Sequence, residues 1–417
     1  MCKFLSENLV IMRILISSFL LTFFILVLVV ELLSYFGILV LIKQQSKKFR
    51  AYFSAIYFSV CLLVLGLLLY SFSNPNDLRQ SLNYSFFFFV ISLSILYLVP
   101  ITFFAVATIL SFLIRLTTNL RAQLLTLTAS LMISCGIFFV IGFGIVFGKH
   151  NLNVVNHELQ FHNFPEQLDS LVIVQISDLH LGTFGKNPAV LTSTMEVIEK
   201  INPDILVFTG DIVNNFSSEM VGFESWLKQL PARYGKFAIQ GNHDYGDYSD
   251  WTDSVSKMKN LEEIRNNLEK AGFELLLNKW KKLSIKDTSI CIIGVENWGH
   301  RPFPQYARLD LALDSIPDHL FKILLSHDPA HWKAKVVPET DIPLTLSGHT
   351  HGGQFGIKFA GIEFSPIYFF QKNWGGLYQA DNQTLYVNRG LGCLGFPARI
   401  EMRPEITVLT LKRTKSH

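Results

Sequence analysis

The stretch TLSGHTHGGQFG, residues 345–356, holds two histidines one residue apart, with glycines on both sides. It overlaps the end of the run IPLTLS (342–347), which reads as a buried strand. Glycines let a backbone turn sharply and approach a ligand closely. A single histidine in such a turn is ordinarily structural, but two of them directly after a strand indicate a binding turn.

Four other polar clusters also follow directly on predicted strands of the C-terminal part. LVIVQIS (171–177) leads into DLH, DILVFT (204–209) into GD, KFAIQ (236–240) into GNHD, and FKILLS (321–326) into HD. Because strand ends that meet at one edge of a sheet bring their loops together, we expect these clusters to lie close to the two histidines. Strands alternate here with helices, among them 261–272, for which Asn260 and Glu263 are predicted to form a capping box.

The clustered side chains form a mixed nitrogen and oxygen donor set. Its members are Asp178, His180, Asp211, Asn242, His243, His327, His349 and His351. Such donors suit Mn, Fe or Zn better than Ca. The potential ligands are too many for one ion with an open position and suit two, which would clamp a phosphoryl group and hold a nucleophilic hydroxide. In an extended segment, residues i and i+2 share a face, so Asp178 and His180 can bind one ion together, as can His349 and His351 if their segment is locally extended.

An isolated DLH or HD is commonplace and carries little weight alone. The residues DLH, GD, GNHD, H and GHTH, at 178, 210, 241, 327 and 348, together resemble the motif set of the calcineurin-like metallophosphoesterases, from about Val172 to Leu411. The resemblance implies an α/β four-layer (αββα) sandwich and a site for two metal ions. It assigns Asp178, His180, Asp211 and His351 to one ion, and Asp211, Asn242, His327 and His349 to the other. By the same likeness, His243 would not bind metal but would stabilise or protonate the leaving oxygen.

Further residues narrow the resemblance to one branch of the family. GHTHGGQ, NRGLG (388–392) and RPEITVLTL (403–411) are similar to the bacterial membrane-associated phosphodiesterases, and the DRG of protein phosphatases does not follow the GD. Arg389 is a candidate phosphate contact, and a structural salt bridge is an equally good interpretation. The aromatic stretches 364–378 and 391–400 either border a lipid site, rest on a membrane, or belong to the core.

The N-terminal part of the chain contains long apolar runs that the C-terminal part lacks. Its four apolar runs, 14–42, 51–72, 85–114 and 124–148, each reach the length of about 20 residues that crosses a bilayer. They predict a four-helix transmembrane region over residues 1–150 and a catalytic domain over 151–417. Glu31 lies inside the first run, where an ionisable group is either functional or packed against a neighbouring helix.

Charge bears on membrane topology and on substrate. Residues 1–150 contain ten Lys and Arg against three Asp and Glu, a net charge of +7, which leaves −4 for the remainder of the chain. Six basic residues flank one side of the spans and four the other, counting Lys3, which a start at Met12 would remove. This balance favours a catalytic domain on the non-cytoplasmic side.

These observations predict a membrane-anchored, metal-dependent enzyme that cleaves a phosphodiester or pyrophosphate bond through a metal-bridging hydroxide, with a lipid as one candidate substrate. A nuclease of the same superfamily is disfavoured, because nucleic-acid binding normally needs a basic surface. A non-catalytic membrane receptor or scaffold with a structural metal site is the other alternative. The substrate, the metal pair and the oligomeric state stay open.

Overall fold

The computed structural model describes residues 2–73, 84–184, 189–299 and 303–414, with side chains from Leu20 onward. The chain divides into two compact units, one formed by 1–75 with 89–143, the other by 76–88 with 144–417. Each unit is described by itself. The predicted division of the chain after residue 150 stays a prediction.

Four long helices form the N-terminal region, as predicted. They are α1 (Cys2–Leu41), α2 (Lys47–Ser73), α3 (Tyr84–Thr117) and α4 (Leu120–Val146). Within the described ranges, these four are long and apolar enough to cross a membrane. Their bounds lie within a few residues of the predicted ones except at the start of α1, which begins before the apolar run does.

Glu31 of α1 packs against neighbouring helices. Its Oε2 accepts hydrogen bonds from the Tyr57 hydroxyl of α2 at 2.7 Å and the Tyr97 hydroxyl of α3 at 3.1 Å. Only 2% of Glu31 is exposed. The carboxyl group therefore joins three helices, as the packing interpretation expects.

The second unit is built on two six-stranded sheets in the described part of the chain. In spatial order, the first contains β1 (Asn153–Phe161), β14 (Glu405–Arg413), β2 (Leu171–Ile176), β3 (Ile205–Phe208), β4 (Gly235–Ala238) and β5 (Phe273–Leu275), and the second contains β12 (Gly376–Ala380), β13 (Gln383–Val387), β9 (Leu344–Ser347), β8 (Phe321–Leu325), β7 (Thr288–Gly294) and β6 (Lys279–Ile285). A separate hairpin is formed by β10 (Ile357–Phe359) and β11 (Ile362–Phe364).

The sheets pack face to face, because their strands are apolar on both sides. In β3, Ile205 and Val207 join the core between the sheets, while Leu206 and Phe208 join the core under the helices on the outer face. This alternation is the two-residue period of a strand buried on both faces. A third cluster, which includes Trp332, covers the outer face of the second sheet. The predicted four-layer α/β sandwich is confirmed.

Five helices flank the sheets in the described residues. They are α5 (Ala189–Ile201), α6 (Glu224–Gln229), α7 (Ser254–Lys270), α8 (Leu309–Ala312) and α9 (Val337–Glu339). The predicted N-cap of α7 at Asn260 is wrong, because Asp253 caps the helix seven residues earlier by accepting from the Ser256 amide. The Asn260 side chain accepts instead from the Ser217 amide.

Parallel pairing places the functional loops at one edge of each sheet. Strands β2, β3 and β4 run parallel to one another, and so do β8, β9 and β13. The carboxyl ends of β2, β3, β4, β8 and β9 lead into the polar clusters found in the sequence. Loops from distant parts of the chain are thereby collected at shared sheet edges.

Candidate metal centre

The predicted ligands lie on tight turns directly after their strands. Asp178, His180, Asp211, His349 and His351 all have a positive φ, between 44° and 74°. Left-handed backbone is uncommon for residues with a side chain, and it gathers at functional sites that the surrounding structure holds in place. The extended geometry predicted for the two i, i+2 pairs is therefore wrong.

The turns bring four side chains of the predicted set into a first group. His180 Nε2 lies 3.1 Å from His351 Nε2 and 3.6 Å from Asp211 Oδ2, and His351 Nε2 lies 3.5 Å from Asp178 Oδ1. Donor atoms about 2.1 Å from one ion are about 3.0 to 3.4 Å apart, close to these values. Three of these residues, Asp178, His180 and His351, could hold an ion by the mutual distances of their ligand atoms.

A second group forms around Asn242. Its Oδ1 lies 2.8 Å from His349 Nδ1 and 3.1 Å from His327 Nε2, which in turn is 3.2 Å from Asp211 Oδ2. Asp211, His327 and His349 meet the same distance condition for an ion. His349 and His351 thus belong to different groups, as the family resemblance implies.

Asp211 is common to both groups. Its Oδ1 accepts from the His243 amide at 2.9 Å, which leaves Oδ2 directed at His180 and His327. The side chain is 1% exposed. One oxygen fixed by the backbone and one shared between two donor groups is the arrangement expected of a bridging carboxylate.

Burial sets the protonation of the first group. It lowers the pKa of His180 to about 3 and that of His351 well below its usual value. Burial, together with the charge of Asp211, raises the pKa of Asp178 to about 7. The two imidazoles are therefore neutral at pH 7, as metal ligands must be. Because the charge of Asp211 disfavours ionisation of Asp178, positive charge nearby is needed for both carboxyl groups to be ionised together.

The second group contains a strongly interacting pair. Burial by itself would raise the pKa of Asp211, but the charges of His327 and His243 outweigh it and hold that pKa well below its usual value. Burial likewise opposes protonation of His327, yet Asp211 raises the His327 pKa to about 10. A proton on His327 thus supplies the positive charge that a bound ion would otherwise provide.

His243 lies beside both groups. Its Nδ1 is 2.8 Å from the Asn214 carbonyl oxygen, and its ring stacks on Tyr248 with centroids 4.5 Å apart. A carbonyl only accepts, so Nδ1 donates and Nε2 is the ring atom left to exchange a proton.

Asp244 and Arg399 were not identified from the sequence. Buried Asp244 accepts from the amides of Asp211, Ile212, Val213 and Gly241 at 2.8 to 3.3 Å, which ties the GD and GNHD loops together. Its position at the end of GNHD was the available signal.

Buried Arg399 donates to main-chain carbonyls, including that of Met402 at 3.0 Å, and its Nη2 lies 3.2 Å from His351 Nδ1. Because a guanidinium only donates, binding an ion through His351 Nε2 requires this last contact to give way. Nothing in the sequence around Arg399 singled it out.

The side chain of Arg389 contacts other charged and aromatic residues of the domain. It forms ion pairs with Glu363 and, at 3.8 Å, with Glu405, and it lies over the ring of Trp374. These contacts agree with the alternative interpretation of Arg389 as a member of a structural salt bridge. Its role in substrate binding stays a prediction.

Gly348 permits the close approach of two strand ends, and replacing it with alanine is expected to impair the centre. A Cβ there would overlap Ser177 Oγ and Asp178 Oδ2. Overpacking of this kind costs about 1 to 3 kcal/mol, and displacement of Asp178 should weaken Mn²⁺ binding by about tenfold or more. Titration of the purified chain with Mn²⁺ checks this. Gly136→Ala is the control, since its Cβ meets nothing within 4 Å; equal Mn²⁺ affinity in both variants would contradict the steric argument.

Comparison with known proteins agrees with this site. The family model for calcineurin-like phosphoesterases matches residues 171–353, which include both groups and His243. The chain is 34% identical over 277 residues to the metallophosphoesterase YkuE of Bacillus subtilis (strain 168), a match that covers 66% of this chain and 90% of YkuE. The chain belongs to the calcineurin-like phosphoesterase family.

Two other relatives of this metallophosphoesterase are informative. A transmembrane protein with a metallophosphoesterase domain from Danio rerio is 30% identical over 279 residues, covering 65% of this chain and 60% of the fish protein. The phosphodiesterase YaeI of Escherichia coli (strain K12) is 26% identical over 260 residues, covering 62% of this chain and 87% of YaeI. The match to the fish protein spans less than two thirds of that protein. With the four apolar helices, the transmembrane relative from Danio rerio supports integration of the metallophosphoesterase in a membrane.

Proposed function

We propose that this metallophosphoesterase hydrolyses a phosphodiester or pyrophosphate bond of a lipid-linked substrate at a centre of two divalent ions, Mn first among Mn, Fe and Zn. One observation carries the proposal: Asp211 Oδ2 is shared between two donor groups, with His243 beside them. The donors are carboxylate, imidazole and amide oxygen, which suit these metals. The name of the relative YaeI supports a diester substrate.

The residues of the centre would have two roles in hydrolysis, metal binding and proton transfer. Asp178, His180 and His351 would hold one ion, Asn242, His327 and His349 the other, and Asp211 both. When bound, two such ions neutralise charge on the phosphoryl oxygens and activate water at neutral pH. The Asn214 carbonyl keeps a proton on Nδ1 of His243, so Nε2 is the ring atom that would give a proton to the leaving oxygen when both ring nitrogens are protonated.

The surroundings support a substrate at a membrane. The part of the chain after residue 150 has a net charge of −4, which argues against nucleic acid. The balance of basic residues around the spans supports a catalytic domain on the non-cytoplasmic side. A substrate with a lipid portion would be presented to a membrane-anchored enzyme at high local concentration.

Metal-dependent turnover of a simple diester tests the proposal. The purified full-length chain, stripped with a chelator and supplied with Mn²⁺, is expected to hydrolyse bis-p-nitrophenyl phosphate. His349→Ala should lower kcat by about 100-fold or more, because it removes a ligand, and should lose bound Mn²⁺. His162→Ala, at an exposed histidine, is the control. Turnover by the stripped protein would refute the proposal, and so would Mn²⁺ binding without any turnover, which would favour the scaffold alternative.

A further inference from the structure

The hairpin β10–β11 is amphipathic. Its strands pair Ile357 with Phe364 and Phe359 with Ile362, and directly opposed residues share one face of an antiparallel pair. These four side chains are 58%, 40%, 78% and 72% exposed, respectively. One whole face of the hairpin is therefore apolar and uncovered.

The opposite face is polar and fixed to the domain. Lys358 Nζ lies 2.7 Å from Glu363 Oε1, and Glu363 also pairs with Arg389, whose side chain is 12% exposed. The Ser365 hydroxyl donates to the Phe355 carbonyl at 2.8 Å, at the base of the hairpin. Ion pairs on one side thus hold the hairpin with its apolar side outward.

The apolar surface continues from the hairpin to the metal centre. The rings of Phe364 and Phe369 are 6.0 Å apart, and Phe369 and Phe370 are 71% and 88% exposed. Phe370 also lines a cleft of about 410 Å³ together with His349 and His351. We call Ile357, Phe359, Ile362, Phe364, Phe369 and Phe370 the apolar patch.

The bilayer is the occupant that fits this patch. Soluble proteins rarely expose contiguous apolar surface of this kind. Six residues, 147–152, join α4 to β1, a tether of about 20 Å when extended, so the catalytic unit cannot leave the surface of the membrane that the helices span. Lys372 lies 3.8 Å from the ring centre of Tyr368, next to the patch. Basic and aromatic side chains together are typical of the bilayer interface.

We propose that the apolar patch inserts into the bilayer interface and that the cleft beside it receives the phosphoester of a membrane lipid. Insertion is independent of catalysis, whereas the delivery of a lipid rests on the proposed function. The headgroup would reach His349 and His351 while the apolar chains stay along the patch. Arg389 then serves the substrate indirectly, because it orients the hairpin through Glu363.

Depth measurement tests insertion without any enzyme assay. A Phe359→Cys variant of the full-length chain, with Cys2 and exposed Cys135 changed to serine, is labelled with the fluorophore NBD. It is placed in nanodiscs of phosphatidylcholine and phosphatidylglycerol. We expect blue-shifted emission and at least twofold quenching when the lipids carry doxyl groups. Val255→Cys is the matched control, at an apolar side chain that is 72% exposed on α7. An unquenched label at position 359 overturns the proposal. A blue shift that is seen only with two chains per disc, without quenching by doxyl lipids, would mean that a second copy of the chain covers the patch. That result also overturns the proposal.

A pair of substrates tests delivery. The double variant Phe359→Asp, Ile362→Asp is expected to keep its turnover of soluble bis-p-nitrophenyl phosphate within twofold. Its turnover of hexadecyl p-nitrophenyl phosphate embedded in the nanodisc should fall at least tenfold. Equal turnover of the embedded ester by both proteins overturns the delivery step. If the unaltered chain hydrolyses neither ester, the proposed function fails, while the depth measurement still decides insertion.

Discussion

Asp211→Asn is expected to abolish hydrolysis, with kcat lower by at least about 1,000-fold, or about 4 kcal/mol of transition-state stabilisation. One carboxylate oxygen accepts from the His243 amide and the other is shared by His180 and His327. An amide supplies only one oxygen. If the side-chain oxygen of the Asp211→Asn variant accepts from the His243 amide, its NH₂ group points into the centre. If the side-chain amide is flipped, its NH₂ group faces the His243 N–H, and two donors oppose each other. Both donor groups therefore lose their common member.

Turnover and metal content, measured together, check this expectation. The variant should bind less than one Mn²⁺ per chain under conditions in which the unaltered protein binds two. Asp341→Asn is the matched control, because that side chain is 85% exposed and its surface ion pair with Lys322 contributes little. Retention of two ions and of robust turnover by Asp211→Asn would rule out the shared carboxylate.

His243→Gln is expected to slow the reaction without loss of metal. Protonation of a leaving oxygen contributes about 100- to 10,000-fold, so a diester with an alkyl leaving group should be affected to that extent. A p-nitrophenolate leaves readily without a proton, and its release should slow far less. The two substrates therefore separate proton transfer from metal binding.

The same pair of substrates, with bound Mn²⁺ measured in parallel, decides the role of His243. His319→Gln, at an exposed histidine, should leave both rates unchanged. An equal fall on both substrates, or loss of an ion, would mean that His243 supports the centre and does not donate a proton.

Apolar runs made the buried strands predictable and left out three of the four edge strands of the two six-stranded sheets, β1, β6 and β12. β2 and β3 are continuous apolar segments between two layers, and they lie where the runs indicated. β1 and β6 contain several polar residues and no continuous apolar run, and neither was predicted. The hairpin strands are three residues long, too short to give a period.

The convergence of the predicted ligands was foreseeable from the sequence, but their geometry was not. Strand-end clusters identified the seven side chains that converge in the two groups. The left-handed turns at residues such as Asp178 and His349 depend on contacts between distant loops, for example His349 N to Asp178 at 3.0 Å. Asp244 and Arg399 act mainly on main-chain groups, which a side-chain pattern does not display.

The centre also acts as a check on the completeness of folding. His180 and His351 meet across 171 residues of sequence, and Asn242 meets His349 across 107. Contacts of such separation form only when both sheets have assembled, since loop closure must precede them. A chain that is truncated, or misfolded in one sheet, lacks the ligands that this sheet contributes to each donor group. Metal binding at the centre should therefore require intact tertiary structure.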